Sequence, residues 1–286
     1  MRLLKFSLLL LLCWHPLLQA KTSMWQVKKG EDVVLLGGTV HLLPAAEFPL
    51  PAEFETAFAQ SSVLFLEAPV PEPTDQQAMQ AMMQQLQYPA GTGLKQKLSA
   101  DVYQQLAAYF KKFGTDVEAL DSFKPGFVAV QLSLLEMSAT GISGEGVDTY
   151  FASKAKKQNK PVQFLETLDF QLQLIAGMGE GYESEFIKQN LANTAELGPL
   201  MHQSIKAWRL GDLAKIDELL LKDARAEDPK LFQQMFTARN QRWLGQIRQM
   251  FGNTDKELVL VGAGHLPGED GLLVLLQQAG FEVKPL

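Results

Sequence analysis

Four short strand-like runs, each followed within a few positions by a histidine or a glutamate, constrain this chain more than any other feature. Residues 33–36 run into Gly37-Gly38-Thr39-Val40-His41, and residues 63–66 end at Glu67. Residues 161–165 end at Glu166, and residues 257–261 run into Gly262-Ala263-Gly264-His265. A run that is apolar at consecutive positions, as in 33–36 and 63–66, is what a strand covered on both faces requires. Helical patterns separate these runs. Strands alternating with helices predict an α/β fold, mixed in its connections, with a central and mostly parallel sheet.

The remaining chain fits around that frame. Residues 24–27 and 33–36 read as a hairpin across Lys28-Lys29-Gly30-Glu31-Asp32, and residues 52–60 as a helix entered through Pro51. Pro69-Val70-Pro71-Glu72-Pro73 is a rigid connector that cannot be helix interior. Residues 74–140 are helical, a Gly-rich loop occupies 141–146, and 147–157 is a further helix. A large helical insertion covers about 168–252, with breaks expected near 177–181, at Gly198-Pro199 and at Pro229. A helix over 270–279 and a short strand over 281–283 close the chain. In the insertion, Met201, Ile205 and Trp208 recur at helical spacing and read as core.

The first twenty residues read as a signal peptide (1–20), leaving a mature domain over 21–286. Arg2 and Lys5 supply the positive end, Leu8 to Leu12 begin an apolar stretch, and Leu18-Gln19-Ala20 suits signal peptidase. The stretch is short of the ~20 residues of a stable span, so export to the periplasm or medium is expected, with a retained anchor as the alternative. Cleavage removes Cys13, the only cysteine, and with it any thiolate ligand, disulfide or cysteine nucleophile. No later segment is apolar enough to cross a membrane. A formal charge of −6 with scattered basic residues argues against a nucleic-acid partner, because phosphate binding needs a basic face.

Three histidines remain after cleavage, and two of them stand in Gly-x-x-His directly after a buried strand. Ligand sites of open α/β sheets collect outside the carboxyl ends of parallel strands. If the four runs are parallel neighbours, His41, Glu67, Glu166 and His265 converge on one crevice. Imidazole and carboxylate together are a usual ligand set for Zn²⁺, Mn²⁺ or Fe²⁺. A metal so held polarises a carbonyl and activates water, and a nearby carboxylate can act as general base. The competing reading of each residue alone is a strand-end structural group; for Glu166 and Asp148 it is an acid in the first turn of a helix. Arg239 and Trp243 share a helix face, and an arginine turned into an acidic crevice could clamp a substrate carboxylate or oxyanion. His202, isolated within a helical stretch, is read as non-catalytic.

These residues stand within longer motifs that resemble the TraB/GumN family, whose animal members include the Tiki proteins. The matching pieces are Leu36-Gly37-Gly38-Thr39-Val40-His41, Leu66-Glu67, Gly146-Val147-Asp148 and Leu165-Glu166-Thr167. Ala207-Trp208-Arg209-Leu210-Gly211-Asp212, Arg239-Asn240-Gln241-Arg242-Trp243 and Val261-Gly262-Ala263-Gly264-His265-Leu266-Pro267-Gly268 continue in family order. The resemblance implies kinship with erythromycin esterases and ChaN-type haem-associated proteins, and a fold like theirs. Through the Tiki branch it implies a divalent-metal-dependent peptidase, with Mn²⁺ or Co²⁺ favoured and Zn²⁺ an option. Metal and catalytic roles would fall on His41, Glu67 and His265, with Arg239 catalytic and Asp148, Glu166 and Asn240 at the substrate. The expected partner is a peptide or small molecule whose amide or ester bond is hydrolysed. The rival expectations are a ChaN-type protein that holds haem or another metal-containing ligand without turnover, and a scaffold with an idle site.

Overall fold

The computed structural model describes residues 22–72 and 74–286. The signal-peptide assignment and Cys13 lie outside the described residues. Eight strands occur in chain order: β1 (Met24–Lys29), β2 (Asp32–Thr39), β3 (Leu42–Leu43), β4 (Val63–Leu66), β5 (Gly144–Glu145), β6 (Val162–Phe164), β7 (Glu257–Gly262) and β8 (Glu282–Pro285). Six form one sheet in the order β6-β4-β7-β2-β1-β8. β2, β7, β4 and β6 run parallel, while β1 is antiparallel to both β2 and β8. The four runs that opened the sequence reading are therefore the four parallel members, and the α/β expectation holds.

The register sends alternate residues of the central strands to two separate cores. Leu35, Leu64, Leu258 and Leu260 pack with Phe54, Phe58 and Phe151, from the helices Ala52–Gln60 and Val147–Lys157. Leu36, Val259 and Val261 face the other way, onto Trp243 and Ile247 of the helix Ala238–Gln249 and Leu273 and Leu276 of Leu272–Gln278. Helices thus cover both faces, which is why β2 and β7 are apolar without alternation.

The helical mass is larger than the 168–252 stretch alone. Leu106 and Phe110 of Ala100–Lys112, Val128 and Leu132 of Pro125–Ala139, and Ile187 share a third core. The 27-residue helix Glu183–Arg209 spans roughly 40 Å and joins this core to the sheet. At its sheet end Trp208 packs on Phe54 and donates Nε1–H to the Gly38 carbonyl at 2.6 Å. Met201, Ile205 and Trp208 all pack in the core beneath the sheet, as their spacing predicts.

Three details depart from the sequence reading. The break expected at Gly198-Pro199 does not occur, and the helix runs through Pro199. Gly198 is there for contact, since a Cβ would lie 2.4 Å from the Thr140 methyl; packing near the helix Pro125–Ala139 accompanies the continuation where the local pattern would end it. The loop 141–146 contributes β5, which pairs with β3 and ties the segment after His41 to the start of the helix Val147–Lys157. The strand expected over 161–165 is limited to Val162–Phe164. Among the described residues, no helix is long and apolar enough to cross a membrane.

Candidate functional site

The carboxyl ends of β6, β4, β7 and β2 lie side by side, so Glu166, Glu67, His265 and His41 follow one another along a single edge of the sheet. Gly262, the last residue of β7, marks the centre. A Cβ there would sit 3.3 Å from Glu67 Oε1, 3.7 Å from His41 Nε2 and 3.7 Å from His265 Cδ2. Only glycine leaves that space open, and its backbone N–H donates to Glu67 Oε1 at 2.7 Å.

Each imidazole is aimed by an acceptor behind it. His41 Nδ1 lies 2.9 Å from Asp148 Oδ2, and Asp148 Oδ1 accepts from Thr39 Oγ1 at 2.8 Å. Asp148 reaches His41 because Gly146 lets the helix start press on the strand end: a Cβ at 146 would be 2.1 Å from the His41 carbonyl oxygen. The Val147 N–H also donates to the Val40 carbonyl at 3.0 Å. For His265 the tautomer follows from its neighbours. The Asp270 carbonyl can only accept, so Asn240 turns Nδ2 to it at 2.7 Å and Oδ1 to His265 Nδ1 at 2.6 Å. The proton is then on Nδ1, and the Nε2 lone pair faces Arg239 Nη1 at 3.1 Å. Trp243 and Phe236 flank this ring at centroid distances of 4.4 and 5.1 Å.

Arg239 enters the site directly after a widened helical turn, Gln233–Thr237, whose Met235 carbonyl accepts from Nη1 at 3.1 Å. Its Nη2 donates to Glu67 Oε2 at 2.6 Å and to Glu166 Oε2 at 2.9 Å, and Nε bonds both Glu166 oxygens. The guanidinium also lies over the Trp243 ring at 4.6 Å. All five N–H donors are engaged and the side chain is 6% exposed. Gln171 adds a bridge, donating to Glu67 at 3.1 Å and Glu166 at 3.3 Å.

The electrostatics follow from this wiring. The Asp148 carboxylate, by charge and hydrogen bond, raises the pKa of the solvent-exposed His41 to about 9. Burial drives His265 the other way, to about 3; Glu67 opposes the shift while Arg239 and His41 add to it. Burial pushes the Glu67 carboxyl up, but His265, Arg239, His41 and the Gly262 N–H outweigh it and bring it to about 2.

Residues 23–285 match the TraB/PrgY/gumN family model. The chain belongs to that family. It is also 21% identical over 276 residues to YbaP of Escherichia coli K12, a protein named as uncharacterized, covering 91% of this chain and 99% of the relative. YbaP of Shigella flexneri aligns to the same extent. No solved structure matches the chain.

All seven site residues expected from the sequence of this TraB/PrgY/gumN protein come together at this edge of the sheet. Among the described residues, no group of three or more His, Cys, Asp or Glu side chains is arranged as a ready-made metal site. Arg239 meets the His265 lone pair and one Glu67 oxygen. The four side chains expected to face substrate are engaged with protein partners. Asn240 is buried with both amide ends engaged, so it orients His265. Glu166 is buried beneath Arg239 and Arg242, and Arg239 has no free donor to clamp a substrate. Asp148 serves His41. Gln171, Phe236 and Arg242 were not singled out from the sequence. His202 bonds the Thr140 carbonyl at 3.0 Å, within the helical mass.

Proposed function

We propose that this chain is an exported, metal-dependent hydrolase that cleaves a peptide amide or an ester bond at the crevice around Gly262. One observation carries the reading: two imidazoles and a carboxylate from three neighbouring strand ends border the space that a Cβ at 262 would fill.

The donor set suits a divalent ion. Histidine ligands of metals characteristically give their second ring nitrogen to an oxygen acceptor, and both rings here do so, to Asp148 and Asn240. Glu67 Oε1 and His265 Nε2 are 3.9 Å apart, within the span of two atoms that share bonds of ~2.1 Å to one ion. His41, Glu67 and His265 would hold it, His265 exchanging its contact with Arg239 for the ion. Bound there, the metal would supply Lewis acidity and a water of lowered pKa.

The chain's own groups divide the remaining work. Glu67, held ionised by two kinds of donor, is too weak a base to take a proton readily and serves as ligand and anionic anchor. His41 is solvent-accessible and cationic without the ion; as a ligand it would give up its Nε2 proton and keep Nδ1–H on Asp148. Arg239 keeps the two buried carboxylates compatible in one site.

The test is metal analysis of the purified protein with turnover of quenched-fluorescence peptides, together with Glu67→Gln. Stoichiometric Mn, Co or Zn is expected in the parent. In the variant both occupancy and turnover should fall, turnover by about 10²-fold or more, since outer-shell changes alone cost ~10–100-fold. Full occupancy and full turnover in Glu67→Gln would remove the site from the reaction. A strong Soret band on haem addition, without turnover of any peptide or ester, would replace hydrolysis with haem binding.

A further inference from the structure

Beside the crevice, past the β6 edge of the sheet, lies a groove of about 760 Å³. One wall is the helix Leu168–Gly177, which turns Phe170, Gln173, Leu174 and Gly177 toward it at i, i+3, i+4 and i+7, a single helix face. The opposite wall runs from Leu231 and Gln234 to Ala238 and Arg242. Arg242 and Phe170 form the end next to the site, because Arg242 Nη2 lies 3.2 Å from Glu166 Oε1 and the guanidinium 4.4 Å from the Phe170 ring centroid. Tyr182 and Asp228, hydrogen-bonded to each other at 2.8 Å, mark the other end together with Glu180.

Arg239 and Arg242 sit on one helix and share Glu166, yet only one of them is open. Arg239 is sealed with all donors in use, whereas Arg242 is 46% exposed and its other N–H groups have no protein partner among the described residues. One bond to Glu166 and one stacked ring hold the Arg242 fork in place while leaving it free to grip a planar anion.

We propose that Arg242 is the substrate clamp of this protein, binding a carboxylate of an extended peptide segment that lies in this groove. The assignment rests on the hydrolytic reading in one respect, that the segment continues into the bond held at Gly262. Phe170 to Gly177 is a wall of roughly 10 Å, the length of about three extended residues. Leu174 and Leu231 suit aliphatic side chains. Gln173 and Gln234, one on each wall and without side-chain partners among the described residues, offer the donor and acceptor that a peptide backbone needs. Glu180 and Asp228 outnumber Lys230 at the far end, so a carboxylate is favoured at the Arg242 end alone.

The experiment measures anisotropy of three fluorescein-labelled hexapeptide pools on the purified full-length protein. One pool has a free C-terminal carboxylate, one a C-terminal amide, and one an amide plus a single internal glutamate. A carboxylate pool should bind on the order of tenfold more tightly than the plain amide; which of the two does so identifies a terminal or a side-chain source. Arg242→Gln should abolish that advantage, Arg242→Lys should restore part of it, and Leu231→Arg should weaken all three pools. Equal binding of the pools, no binding of any, or an advantage that survives Arg242→Gln would overturn the clamp. Turnover is read separately. A carboxylate preference that tracks Arg242 in a protein with no peptide turnover sustains the clamp and sinks hydrolysis, and turnover that ignores Arg242 does the reverse.

Discussion

The two Gly-x-x-His motifs end neighbouring parallel strands, border the same empty space, and arrive in opposite electrical states. His41 is 70% exposed beside a carboxylate and is held protonated, while His265 is buried between aromatic rings on an amide and is held neutral. The strand ends place the rings. What stands behind each Nδ1 decides its charge: Asp148 stabilises an imidazolium, whereas Asn240 only fixes which nitrogen carries the proton. A similar contrast separates the sealed Arg239 from the open Arg242, one helical turn along.

The largest effect expected from breaking this division is at Arg239. Arg239→Met leaves Glu67 and Glu166 buried without their cation, and removing one partner of a buried pair costs about 3–5 kcal/mol. Arg242 still bonds Glu166, but Glu67 is left without its guanidinium partner. Urea unfolding of the variant should show that loss. A loss below about 1 kcal/mol would mean the two carboxylates find other partners, and the buried half of the site would be less tightly wired than its hydrogen bonds imply.

A smaller effect separates the two histidines. His265→Ala opens a cavity between Trp243 and Phe236 and strands the Asn240 oxygen, costing about 2–4 kcal/mol. His41→Ala removes an exposed side chain and a surface-type pair, and should cost under about 1 kcal/mol. Equal losses in a denaturation series would erase the buried-versus-exposed distinction.

The strand ends were legible because a strand buried on both faces advertises itself as an uninterrupted apolar run, and the polar residue after it has nowhere to point but the sheet edge. That argument reached His41, Glu67, Glu166 and His265 without any tertiary information. It did not reach Gln171, Arg242 or Phe236, whose helices look like ordinary amphipathic surface until packing turns one face onto the site. Nor could it apportion the work among the polar residues it found. That depends on which donors are already spoken for, and a burial pattern carries no such information. Arg239, a candidate clamp or surface cation from sequence, has every donor engaged, and Asn240 is held between the Asp270 carbonyl and His265. Pro199 marks the same limit in the fold, where local chemistry forecasts a break and the helix continues with Gly198 against Thr140.

The smallest and most specific effect lies in pH. The folded His41 pKa, about 9, stands above the ordinary 6.5, so the His41–Asp148 pair contributes its stability in full below pH 6.5 and loses it as pH rises from 6.5 through 9. Asp148→Asn gives His41 the kind of neighbour that His265 has, with an amide oxygen in the Oδ2 place to accept from Nδ1 and an amide N–H in the Oδ1 place to donate to the Thr39 hydroxyl. NMR titration of the metal-free variant should move the His41 midpoint down toward 6.5, and the stability profile across that window should flatten. His265 serves as the internal reference, since burial keeps it from titrating anywhere in the same range. A His41 midpoint unchanged by Asp148→Asn would place the source of the charge in Glu67 rather than Asp148. The contrast between the two imidazoles would then belong to the crevice itself and not to the residues behind the rings.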